Sequence, residues 1–200
     1  MENILSDCEC GPTVPCDTST NSPHEVAFAP QAAKASNCQY FSASSESVCS
    51  PKTAVLLLKN PATSKTIFYV TIESVSNYGT EAVTAHLAGD INLSSPESQR
   101  VPVYQTNLGC SSPSAAEVWR TGCAHAPSLH SAEFLTQDIV VPSSTLRIDH
   151  QGGFVVVPGK SLAVVVEALC PPWLNKVEIP GCVNVGIDLR WWETPCNSHS

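Results

Sequence analysis

Val183-Asn184-Val185-Gly186-Ile187-Asp188-Leu189-Arg190-Trp191-Trp192-Glu193 is the stretch that decides the fold. Val183, Val185, Ile187, Leu189 and Trp191 alternate with Asn184, Gly186, Asp188 and Arg190. A period of two marks a strand with one face in a core and the other wet. Upstream, residues 154–157 (FVVV) and 161–168 (SLAVVVEA) are two further apolar runs, separated by Pro158-Gly159. Proline presets its own φ and glycine accepts a positive one, so a short antiparallel connection between these runs is expected. The remainder of the chain must supply partners for these edges.

At 200 residues the chain suits one domain plus an appendage. Hydrophobic residues make up 42%, enough for a substantial core, but Asp, Glu, Lys and Arg together reach only 14%, against about 25% in an ordinary soluble domain. Such a surface is solvated by Ser, Thr, Asn and Gln or covered by other subunits. The formal charge of −8 and the lack of any Lys/Arg cluster argue against a nucleic-acid partner. The longest apolar runs, such as 54–58 and 162–166, fall far short of the roughly 20 residues of a membrane span, so no membrane insertion is expected. Residues 1–7 (MENILSD) lack the positive and apolar regions of a secretory signal. Ten cysteines then call for a route to oxidation: translation in a reducing cytosol and disulfide formation after cell lysis.

Residues 1–50 carry five cysteines, six acidic residues against one basic, and four prolines, without a sustained hydrophobic period. They are read as an extended N-terminal arm, because patterned apolar surface is too scarce to offset the entropy of ordering them. Residues 51–196 are read as the folded domain and 197–200 as a short tail. Within the domain, strand-like runs begin at Ala54 and Thr66, with Phe68, Val70 and Ile72 assigned to one face. Further runs fall at 82–93, with a change of phase, at 101–105, 133–141 and 146–148. Ser114, with Glu117 three residues on, suggests a helical turn over 114–119. The expected fold is all-β: a jelly-roll-like β-sandwich of about eight antiparallel strands.

Cys110, Cys123, His125 and His130 have the ligand types of tetrahedral zinc, although their spacing fits no zinc-finger pattern and a metal is the weaker reading. A disulfide between Cys110 and Cys123 is favoured over it. Cys170 and Cys182 flank the Pro171-Pro172 loop, where a bridge competes with two ordinary small buried side chains. No nucleophile elbow, zinc-protease helix or phosphate loop is present, and Asp149 and His150 face opposite ways on a strand, so His150 is read as a solvated loop histidine. Neither enzymatic activity nor a cofactor is expected. Trp191 shares the phase of Val185, Ile187 and Leu189 and belongs in the core. Trp192 then points outward, where a subunit interface is expected, with carbohydrate stacking or cover from the chain's own arm as alternatives.

The passages GGFVVVPGKSLAV (152–164) and NVGIDLRWWE (184–193), with Leu57-Leu58-Lys59-Asn60-Pro61 before the strand at Thr66, resemble a family of β-sandwich proteins of Gram-positive bacteria and their phages. That resemblance covers about residues 52–193 and implies a jelly-roll module used for assembly. The architecture of a cysteine-bearing arm ahead of a jelly roll is similar to the subunits of bacterial endospore appendages, whose arms dock into neighbouring subunits and cross-link them. It implies that Cys8, Cys10 and Cys16 form intersubunit disulfides, with Cys110 or Cys182 receiving them. Copies of the same chain are the implied partners, together with an anchoring or tip protein, on an extracellular or spore surface. The alternatives are a virion structural protein and a carbohydrate-binding adhesin.

Overall fold

The computed structural model describes residues 30–50, 53–91, 93, 98–123, 133–169 and 183–196. These form a short helix, α1 (Pro30–Ser36), and eleven strands: β1 (Tyr40–Ser50), β2 (Thr53–Lys59), β3 (Thr66–Asn77), β4 (Val83–Gly89), β5 (Gln99–Arg100), β6 (Tyr104–Gln105), β7 (Glu117–Cys123), β8 (Glu133–Val140), β9 (Ser144–Val156), β10 (Ser161–Ala168) and β11 (Val183–Pro195). Two antiparallel sheets pack as a sandwich, with strand orders β6-β1-β11-β3-β9 and β5-β7-β2-β10-β4-β8. The expected all-β sandwich is therefore present. β1 pairs with β11, β2 with β10, β3 with β9 and β4 with β8.

β11 lies between β1 and β3, and its alternation behaves as the sequence predicts: Val183, Val185, Ile187, Leu189 and Trp191 are all buried. They meet Leu56, Leu58, Leu87, Val164 and Val166 from the facing sheet, and Phe41 and Phe68 pack near the Trp191 ring at centroid distances of 6.2 and 6.5 Å. β2 and β10 are different. Their apolar runs are continuous, and residues on both faces are buried, as befits strands covered on two sides. The inner residues join the main core; Val55, Leu57, Ala163 and Val165 form a second cluster on the outer face.

Three expectations are corrected. Residues 40–50 are not arm but β1, an interior strand whose Phe41, Ala43 and Val48 enter the core, so the sandwich begins before residue 50. The polar Ser-rich outer positions of β1 hide this periodicity. Pro158-Gly159 does form a turn, with Gly159 at φ 84°. It joins β9 in one sheet to β10 in the other, so it is a crossing and not a hairpin. Residues 114–116 are not helical: Ser114 Oγ accepts from Ala116 N, and β7 starts at Glu117. A bulge in β3 also changes its phase after Val70, burying Glu73, Val75 and Asn77.

Two buried asparagines hold the corners where the chain changes sheet. Asn60 Nδ2 donates to Thr66 O and Val156 O at 2.9 and 2.8 Å, spanning the β2–β3 and β9–β10 crossings. At the opposite pole Asn77 Nδ2 donates to Glu81 O and Val140 O at 2.8 and 3.0 Å, spanning β3–β4 and β8–β9. Asn77→Ala leaves two carbonyls without their donor and is expected to cost about 2–3 kcal/mol. Ser76→Ala, which removes an exposed hydroxyl, is expected to cost under about 0.5 kcal/mol. Urea unfolding midpoints at constant slope measure both, and equal midpoints for the two variants would refute the corner role.

Candidate functional site: the two poles and the outer faces

Strand direction sorts the chemistry-bearing residues to two poles. β11 runs from Val183, opposite Ser50, to Pro195, opposite Thr66, a length of about 40 Å. Helix α1 sits at the Pro195 pole, where Lys34 Nζ lies 3.5 Å from Thr194 Oγ1. Cys38 and Cys196 are at this pole too, the latter donating its N–H to Lys65 O. Cys49 and the Cys123 backbone lie at the other pole, with Leu169 and Val183, the described residues next in sequence to Cys170 and Cys182.

Cys110 is bonded to Cys38, across a sequence separation of 72. That pairing replaces the expected Cys110–Cys123 bridge and removes Cys110 both from the zinc set and from the sulfurs able to receive an arm. Cys38 escapes a sequence reading because it lies in what reads as arm, yet the αL turn after α1, with Cys38 at φ 58°, brings it beside the loop that follows β6. Gln105 Nε2 donates to Cys38 O at 2.7 Å and Thr106 N to Tyr40 O at 3.0 Å, fixing the same junction. Cys8, Cys10, Cys16, His125, His130, Cys170, Cys182 and the 197–200 tail lie outside the described residues. In the chain-entropy account a closed loop of this length restrains the unfolded state by about 4 kcal/mol. Reduction, or Cys38→Ser, is therefore expected to lower unfolding free energy by about 2–4 kcal/mol; urea unfolding of the Cys38→Ser variant against wild type under oxidising conditions measures it, and equal midpoints would refute the contribution.

Trp192 points outward as expected, but its ring is engaged within the subunit. It stacks on Tyr69 at 5.6 Å with planes 22° apart, and it covers Gly152 in the bulge of β9. A Cβ on Gly152 would come within 2.4 Å of the indole, and its φ of 81° is one that side-chain-bearing residues rarely adopt. Gly152-Gly153 is thus a place where an aromatic ring lies on the backbone. Gly152→Ala should lower stability by about 2 kcal/mol or more, whereas Gly89→Ala, with nothing within 4 Å of its Cβ, should stay within about 1 kcal/mol of wild type. Thermal unfolding of the pair checks the contrast, which shrinks to the backbone penalty of the positive φ if the indole is free to move aside.

Two buried carboxylates escape the sequence reading. Glu193 continues the inward phase of Trp191 and accepts hydrogen bonds from Ala115 N at 3.0 Å, Trp191 Nε1 at 3.1 Å and Ser114 Oγ. It clips the segment before β7 onto the end of β11. Glu73 Oε2 lies 3.1 Å from His150 Nε2, with side chains 2% and 9% exposed, so His150 is no solvated loop residue. Asp149 faces away, as strand geometry requires, and accepts from Gln151 N. A carboxylate–imidazole pair can act as a general base only with a substrate within about 3 Å. Here the Phe154 ring packs edge-on against the imidazole at 4.7 Å, and the pair is enclosed. Its evident work is to satisfy two polar groups inside the sandwich.

The flank formed by β8 and β9, each the last strand of its sheet, carries Phe134, Leu135, Ile139, Val141, Val155 and Val157 with much of their side chains exposed. No family model matches the chain, and comparisons with curated proteins and with solved structures give no match. Among the described residues, no helix is long and apolar enough to cross a membrane.

Proposed function

We propose that the chain is a structural subunit of a homopolymeric, disulfide-stabilised extracellular fibre, similar to an endospore appendage. The N-terminal segment joins one copy to the next. The observation that carries this reading is the polarity of the sandwich. The chain enters it at the Pro195 pole through α1, while Val183, next in sequence to Cys182, lies about 40 Å away at the other pole. Stacking copies end to end places the root of one arm beside the far pole of its neighbour. Cys8, Cys10 and Cys16 are then the donor sulfurs, and Cys182 replaces Cys110 as the receiving one. The exposed apolar flank on β8 and β9 supports side-by-side contact as well, since edge strands with such faces favour association. A tether that also forms a covalent bond raises effective concentration and then makes dissociation depend on reduction.

Negative-stain microscopy and non-reducing gels of oxidised protein test the reading. Filaments and a ladder that collapses to about 21 kDa on reduction are expected, and removal of residues 1–20 should abolish both. A closed ring of fixed size would favour a virion subunit instead. Polymer unaffected by the truncation would end the arm-bridging proposal.

A further inference from the structure

The second apolar cluster, on the outer face of the β2–β10–β4 sheet, opens toward the α1 pole into a cleft of about 570 Å³. This lies within the range of roughly 300–1,000 Å³ usual for small-molecule sites. Leu57 and Ile91 supply apolar lining, the half-buried indole of Trp119 on β7 supplies an aromatic surface, and Asp90 and Lys160 stand at the rim. Ser98 Oγ is buried in the lining without a hydrogen-bond partner among the described residues. A buried hydroxyl with no partner is costly unless something completes it.

The charges narrow the ligand class. Lys160 Nζ lies 2.6 Å from Asp90 Oδ2, and this hydrogen bond, reinforced by charge attraction, holds the ammonium above the ordinary lysine range. Lys59 faces Glu117 at 4.0 Å. Each lysine of the lining therefore has its own carboxylate, and neither stands free to select a phosphate or an acid. What the cleft offers is an aromatic surface, apolar lining, and a carboxylate, an ammonium and a hydroxyl as acceptor, donor and both. A sugar ring matches this set, because its C–H face is apolar and its rim bears hydroxyls that donate and accept.

We propose that the cleft is a saccharide-binding site, taking a neutral sugar that stacks on Trp119 and shares its hydroxyls among Asp90, Lys160 and Ser98. The stacking role considered for Trp192 thus passes to Trp119, since Tyr69 and Gly152 already occupy the Trp192 ring. The site is independent of fibre formation and does not require the arm.

An array of neutral hexose and N-acetylhexosamine oligosaccharides, probed with the full oxidised chain, tests the proposal, followed by calorimetric titration of those retained. At least one neutral class should bind. Asp90→Asn, which keeps a side chain tolerant of the φ of 54° at this position, and Lys160→Ala should each weaken it about tenfold, the loss of one charged hydrogen bond. Trp119→Leu should abolish binding, and Trp192→Phe should leave it unchanged. Asp90 and Lys160 are exposed, so their variants keep the test valid if Trp119→Leu unfolds. Absence of neutral-glycan binding at millimolar concentration, binding to anionic glycans alone, or undiminished affinity in both rim variants would overturn the site.

Discussion

Backbone polar groups at the corners of the sandwich set the constraint on which the rest depends. Between neighbouring strands the N–H and C=O groups find ladder partners, but a chain that leaves one sheet for the other must break the ladder where water is already excluded. Here the breaks are shared: each corner joins two crossings, and one buried asparagine donates to a carbonyl from both. Asn60 adds its own backbone, donating to Lys160 O and accepting from Gly159 N at 2.9 Å each. The turn at Pro158-Gly159 is thereby fixed to the end of β2. With the corners tied, the nested pairs of strands have a single register in which the apolar faces of β11 and β10 meet.

Legibility in the sequence follows from how local each signal is. β11 was readable because its inner and outer residues differ in polarity at every step through Arg190. β2 and β10 were readable as strands, and their unbroken apolar character carried the further fact of burial on both faces. β1 was not, since Ser42, Ser44, Ser45 and Ser47 dilute the signal of Phe41, Ala43 and Val48 within a cysteine- and proline-rich region. The bulges in β3 and β9 change the phase of the strands in a way that no composition reveals, and so His150 was assigned to a surface it does not occupy and the burial of Glu73 went unread. The Pro158-Gly159 turn shows a related limit: local chemistry specifies that the chain reverses, whereas its destination depends on which sheet has room. Pairing of Cys38 with Cys110 is a still longer-range fact, since it depends on β1 and β6 being neighbours.

The outer surfaces of the two sheets serve different ends. On the β11 sheet, Trp192 and Tyr69 close over the β9 bulge, so the exposed-looking WW pair is internal bracing. On the β10 sheet, apolar residues of the outer face form a second buried cluster, and a cleft opens beside it near Asp90 and Lys160. Low charge density accords with both features. Surface area covered by the chain itself needs no charged side chains, and the two lysines of the cleft lining are each paired with a carboxylate.

The Cys38–Cys110 bond bears on the proposed fibre by rooting the segment that precedes α1, although it lies within one subunit. Cys16 is about 14 residues from Pro30, so a fully stretched connection reaches roughly 50 Å. A flexible one of that length has a root-mean-square span of only about 20 Å. Reaching the far pole of its own sandwich, about 40 Å away along β11, would demand near-complete extension. In the proposed stacking, the far pole of the next copy abuts α1, which needs no such extension. Cys8 and Cys10, six to eight residues further out, have more reach but the same ordering of costs. Chain length alone thus sets an ordering of costs for the proposed arm: under pole-to-pole stacking a bridge between copies needs less extension than a return along the same sandwich.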